Sequence, residues 1–346
     1  MTSVAWRTIG TLRSAPPGLA REGLRRQIFG AALQQAEELA RAAEAVGYAS
    51  KPLPLFYMLS QAGRAIVAAH HPNKAEIRGH GLSFHLDQEE KILTGGLKTP
   101  KPPAEGAFQD VACATGSPGL SKRVELGALW RANPDLVDAD VPRQHSDEEW
   151  WPPLSSNLGQ RRLPPEPDEP TTTGGSVGAW LTMPGQTGAE VNAAIERYPS
   201  LAGCRALNPG ETSAAYVRAS ETVLRDASTG RVIVSRAAPA SLLPRDLWKL
   251  EDDLFSCVTV DASAPKWPHP TYVGWVLPSV AESVSPLPLM LWWGLLYGLS
   301  SLARYYPAAW SAAIDRDSST LAEPLREVLD RGADCVPRRI AEALIV

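Results

Sequence analysis

The chain has 346 residues, room for two average domains or one large one, and its 44% hydrophobic and 21% charged residues suffice for a packed core, which excludes disorder of the whole chain. Its 34 basic and 38 acidic side chains leave a net charge of −4, the wrong balance for a surface that coats duplex DNA by neutralising phosphates. The 31 prolines predict a helical fold cut into segments, and the 11 tryptophans require large packed pockets.

Residues 19–46 read as an amphipathic helix, with Leu24, Ile28, Ala31, Leu39, Ala42 and Val46 on one face and charges over much of the rest. Pro52 and Pro54 open a second helix, since proline is tolerated in a first turn but not inside. Leu55, Leu59, Ala62, Ile66 and Ala69 give that helix a buried stripe, and Pro72 ends it at His71. Residues 99–119 read as loop from their prolines and glycines, and residues 124–130 as a short helix. Proline and polar residues crowd residues 152–175, which reads as an exposed connector.

The period then changes to two. Residues 215–219, 223–224 and 231–235 alternate, with a turn over 226–230, which predicts a hairpin that residues 256–260 and 272–277 extend. Residues 285–303 carry no charge, but Pro286 and Pro288 open them and only 15 residues separate Pro288 from Arg304. That length suits a buried helix of a soluble protein better than a bilayer span of ~20 residues. Thr320 with Glu323 reads as a capping box for a last helix through Leu325, Val328 and Leu329. The expected fold class is mainly α with a small antiparallel β insertion, around a helical bundle core. Its parts are a helical region over 1–150, a connector over 151–175, a small β region over 176–280, and C-terminal helices over 281–346 that return to the N-terminal region as one composite domain.

Cys113, Cys204, Cys257 and Cys335 lie far apart without a Cys-x-x-Cys, so buried free thiols are expected rather than a disulfide frame or a zinc ribbon. Residues 1–18 lack a continuous apolar run, so no secretory leader is expected.

Two blocks carry a family resemblance. Leu53-Pro54-Leu55-Phe56-Tyr57 with the following small-residue helix and His80-Gly81-Leu82 forms the first. Val276-Leu277-Pro278-Ser279, Pro286-Leu287-Pro288, the run from Leu296 through Ser300, Ser301 and Arg304 to Tyr305, and Trp310 form the second. In order and spacing they resemble the YaaC-like protein family. The resemblance implies a bacterial, largely helical protein of undefined activity, and neither block is a catalytic motif. The Trp292-Trp293 pair and the long connector depart from the pattern.

Three groups of side chains are candidates for chemistry. Arg64 with His70 or His71 resembles the Arg-x4–6-His element of the HEPN superfamily. There the arginine would hold a phosphate and the histidine would move a proton, with no metal. Seven helical positions turn through about 700°, so Arg64 shares a face with His71 rather than His70. The competing reading makes His71 the end of a helix. The second group is His70, His71, His80 and His85, four of the six histidines within 16 positions, with no recognised ligand spacing for a metal. There His80 reads as a residue packed at a turn, with Gly81 supplying an unusual backbone angle. The third group is Tyr297, Ser301 and Arg304 on one side of the core helix, either an anion clamp facing the Arg64 helix or a structural ion pair or helix end. Arg78 joins His80, Tyr297 and Arg304 as a candidate for local anion contact. No nucleotide-binding or hydrolase motif occurs, and no cofactor or metal is expected.

Two functions stand at this point. The first is a non-enzymatic binding component with a protein or RNA partner. The second is a metal-independent ribonuclease or toxin of stress or phage defence, which predicts Arg64 and a histidine converging in an open basic groove across a homodimer.

Overall fold

The computed structural model describes residues 4–100, 105–139, 150–159, 178–182, 192–194, 196–199, 204–206, 221–226, 232–236, 275–280 and 285–345. The chain falls into two compact units, one made of residues 1–152 with 280–346 and one of residues 153–279.

The first unit is helical, with α1 Val4–Ser14, α2 Gly23–Ala45, α3 Pro52–His70, α4 Ala107–Thr115, α5 Leu126–Ala132, α6 Pro288–Tyr305, α7 Pro307–Ala313 and α8 Ala322–Ile345. Proline stands in the first turn of α3, α6 and α7, where a missing N–H costs nothing. The helix α2 forms as expected, but its buried face is Phe29, Ala32, Leu33, Ala36, Ala40 and Ala43. Leu24, Ala31, Ala42 and Val46 of the predicted face are exposed. The stripe is displaced by one residue, or about 100° of helix rotation, because the alanine-rich side lets α2 lie close along α3.

The helix α3 buries every residue of its predicted stripe, and α6 is buried nearly all round. Trp292, Trp293 and Trp310 are all core residues. Glycines set the spacing around α6. A Cβ at Gly63 of α3 would run into the Trp293 ring, and one at Gly294 would lie 2.8 Å from Leu129 of α5. Among the described residues, no helix is long and apolar enough to cross a membrane.

Three elements of this unit differ from expectation. The stretch 99–119 is not all loop, because α4 buries Phe108, Val111 and Ala112 within it. A three-stranded antiparallel sheet, β1 Ser83–His85, β2 Gly96–Lys98 and β3 Val124–Glu125, is too short to leave a period in the sequence. And α8 runs on to Ile345 through Pro337, although proline inside a helix costs about 3 kcal/mol. Burial of Val336, Ile340 and Leu344 on either side of Pro337 holds it.

The tie between α8 and the 134–136 turn is an ion-pair network. Arg339 (2% exposed) donates from Nε to Asp135 Oδ2 at 2.8 Å and pairs with Asp135 Oδ1 through Nη2. Its Nη1 reaches Glu342 at 3.0 Å, while Arg338 and the Trp292 indole N–H also donate to Asp135. Burial alone would raise the Asp135 carboxyl. The Arg339 charge and the hydrogen bonds from Arg339 and Trp292, with Arg338, outweigh it and hold the group below the ordinary aspartate value.

Among the described residues, the second unit carries a six-stranded sheet in the order β6-β7-β8-β5-β4-β9, with β4 Leu154–Gly159, β5 Gly178–Thr182, β6 Cys204–Ala206, β7 Glu221–Asp226, β8 Val232–Arg236 and β9 Trp275–Val276. The predicted hairpin is the antiparallel β7–β8 pair, registered Val223↔Val234 and Leu224↔Ile233. Among the described residues, β5 and β8 pair in parallel. The predicted strands at 215–219 and 256–260 lie outside the described residues.

Candidate functional site

The end of α3 is built from sequence-distant parts. Pro72 forces His71 out of the helix, to ψ 125°, so its ring leaves the face it would have shared with Arg64. The buried His71 ring folds back, and Nδ1 accepts the backbone N–H groups of Asn73 and Lys74 at 3.2 and 3.0 Å. Nε2 lies 4.0 Å from Asp110, itself bonded to Lys74 at 2.8 Å. Arg25 of α2 closes the helix by donating from Nη1 to the carbonyls of Val67, Ala68 and His71 at 3.0–3.3 Å. A cation does meet the carbonyl end of α3, but it comes from another helix.

His70 points elsewhere and donates from Nε2 to the Leu344 carbonyl at 3.1 Å. Burial lowers both histidines below the ordinary value, against the bond to Leu344 at His70 and against Asp110 at His71. Each group is therefore harder to protonate when folded, so its contribution is complete above the unfolded value near 6.5 and is lost as pH falls through the folded value. His71→Ala removes the acceptor of two backbone N–H groups and is expected to cost about 1–3 kcal/mol in urea denaturation at pH 7. The difference from the parent should shrink as the pH is lowered.

Arg64 therefore faces neither His70 nor His71. It lies half-buried on α3 and donates from Nη1 to the Ile77 carbonyl at 3.3 Å, at the start of the turn that carries His80. That turn is pinned to the N-terminal end of α4. The Ala107 and Phe108 N–H groups donate to the Gly79 and His80 carbonyls, both at 3.1 Å, and Gln109 Nε2 donates to the Gly81 carbonyl at 2.8 Å. Gly79 and Gly81 have φ of 67° and 72°, a backbone region that disfavours side chains.

His80 is held over the seam of α3 and α6, its ring 5.6 Å from Phe56 and 5.8 Å from Tyr297 between centroids. Tyr297 donates its hydroxyl to the Leu82 carbonyl at 2.7 Å, fixing the far end of the turn. Burial, then the charges of Arg304 and Arg64, hold the His80 imidazole below the ordinary histidine range. Both guanidiniums are thus close enough to act on one ring. Arg304 donates from Nε to the Ser300 carbonyl and from Nη1 to the Tyr57 hydroxyl, each at 3.3 Å, and lies over the Tyr305 ring at 4.9 Å.

Among the described residues, neither Arg64 nor Arg304 has a carboxylate partner, and the His80 ring has no hydrogen-bond partner. A guanidinium carries five N–H donors, and Arg64 uses one. The result is a half-buried cluster of Arg64, His80, Arg304 and the Tyr57 hydroxyl, with unused donors and like charge. It brings Arg64, His80, Tyr297 and Arg304 together as sequence spacing within one element could not. It leaves out His70 and His71, and Arg78 lies exposed in the same turn. Ser301 donates to the Tyr297 carbonyl within α6. Tyr57 was the residue the spacing argument missed, although Tyr57 and Arg64 stand seven positions apart on the partly exposed stripe of α3.

The remaining candidates are dispersed. Exposed His85 pairs with Asp87 at 3.3 Å. Among the described residues, no group of three or more His, Cys, Asp or Glu side chains is placed to hold a metal ion. Cys335 is a free thiol that burial pushes up to about 11, whereas Cys113, expected in the core, is free and exposed on α4.

No curated protein and no solved structure matches the chain. The YaaC-like Protein family model matches residues 19–166 and 248–344, more than half the chain and both of the blocks whose side chains meet at His80, so the chain belongs to the YaaC-like family.

Proposed function

We propose that the protein is a cytoplasmic binding component whose Arg64, His80 and Arg304 cluster takes an oxyanion. One observation carries this reading. Two guanidinium charges act on a half-buried histidine without any described carboxylate to balance them, an arrangement that favours an added anion. The same region favours binding over the ribonuclease reading built on Arg64 with His70 or His71, since His71 bonds the backbone of Asn73 and Lys74 and His70 the Leu344 carbonyl.

Isothermal titration calorimetry with sulfate, an oxyanion that does not titrate near neutral pH, tests the reading. Saturable binding is expected in the parent, weakened about tenfold or more in Arg64→Ala and in Arg304→Ala, a loss of the size of one charge-assisted contact. Arg41→Ala, on the exposed side of α2, should bind as the parent does. Absence of sulfate binding in the parent, or equal binding in all variants, would overturn it.

A further inference from the structure

We infer that the cluster selects a dianionic phosphate monoester over a monoanionic phosphodiester, and that His80 gains a proton as the phosphate seats. The inference rests on the oxyanion reading and adds the class of ligand and its coupling to pH.

The donor inventory supports the first half. Arg64 has Nη donors beyond the one spent on Ile77, and Arg304 keeps Nη2 free of the bonds to Ser300 and Tyr57. The Tyr57 hydroxyl accepts from Arg304, which leaves its own proton to donate. These groups approach from α3 and α6, so they suit a group with several equivalent oxygens rather than a planar carboxylate held by one fork. A terminal phosphate offers three such oxygens and a charge near −2 at neutral pH. A diester offers two and a charge of −1, halving the attraction to each guanidinium.

The second half follows from what faces the ring. Arg64 and Tyr57 reach the cluster from α3, Arg304 and Tyr297 from α6, and the neutral Gln109 side chain from α4 holds the adjacent Gly81 carbonyl. Arg64 and Arg304 are the charges acting on His80, and both disfavour the imidazolium. A seated dianion cancels their field, and the ring then gains both a counter-charge and an acceptor for a second N–H. His80 is therefore the proton-sensitive member of the site, and the two arginines are its fixed charges.

Methyl phosphate and dimethyl phosphate are titrated calorimetrically at pH 7, with sulfate as the reference. The monoester is expected to bind at least about tenfold tighter than the diester. The His80 ring is followed by 13Cε1 NMR against pH, assigned by its absence from His80→Gln. Saturation with methyl phosphate should raise its titration midpoint by about one unit, a tenfold change in proton affinity, while dimethyl phosphate leaves it in place. N-acetyl-phosphoserine amide is titrated beside methyl phosphate, and the tighter of the two assigns the phosphate to a protein side chain or to a small molecule. Equal binding of monoester and diester, or an unmoved His80 midpoint, overturns this inference while the sulfate result stands. Loss of the sulfate signal itself overturns the reading beneath it.

Discussion

Asp135→Ala is expected to lower the stability of the first unit by about 3–5 kcal/mol, the cost of stranding a buried charge. The substitution leaves Arg339 (2% exposed) with Glu342 but without its bidentate partner, and strips the Trp292 indole N–H of its acceptor. For a unit of this size the melting temperature should fall by roughly 10 °C by calorimetry. Further substitutions separate a lost contact from a stranded charge. Asp135→Ala with Arg339→Met and Glu342→Leu should recover a large part of the loss, because apolar replacement of a whole buried ionic group is often near neutral, whereas removing Arg339 without Glu342 would strand a second buried charge. If the triple variant is no more stable than the single, the stranded-charge account fails. The same network sets an acid limit. The Asp135 carboxyl titrates below its ordinary value when folded, so its contribution is complete above about pH 4 and is lost as pH falls through the folded value. Asp135→Asn should therefore show a shallower loss of stability on acidification than the parent.

Gly63→Val is expected to cost about 3 kcal/mol, the upper range for overpacking a filled core. A Cβ at this position meets the Trp293 ring of α6 on one side and lies 2.9 Å from Val111 Cγ2 of α4 on the other, so no single neighbour can give way. Glycine inside a helix costs about 1 kcal/mol relative to alanine, and a position that accepts this loss is one where two helices must touch. Trp293→Leu in the same chain should restore part of the stability, since its buried indole N–H has no described partner to lose. Additive losses in the double-mutant cycle, measured by urea denaturation, would show that the two positions are not coupled.

The sequence displayed the helices whose faces are large and apolar, because α3 and α6 bury bulky side chains at helical spacing. It misplaced the face of α2, where alanine is the contact residue and hydrophobicity does not distinguish the side that packs from the side that does not. It concealed α4, since a helix of nine residues between prolines leaves too short a period to outweigh its breakers. The strands of the first unit, of two or three residues each, leave none. The candidate site was half visible. Arg64, His80, Tyr297 and Arg304 each stand out in the sequence, but helical spacing pairs Arg64 with His71. The pre-proline geometry that removes His71 from the helix was readable from Pro72. The turn that delivers His80 was not, because it depends on two glycines at positive φ and on carbonyls taken up by α4.

The site is also divided in time. Arg64 and His80 precede the second unit in the chain and Arg304 follows it, so a growing polypeptide exposes the apolar side of α3 until α6 has been made. Closing so long an intervening segment adds little to the equilibrium cost, about 0.6 kcal/mol for each doubling of its length. The burden falls instead on the interval before closure, when Phe56 and Gly63 lack the Trp293 ring of α6 against which to pack. The like-charged arginines are kept apart for the same interval, so their repulsion enters only when α6 docks, and an anion present at that moment would act as a folding ligand.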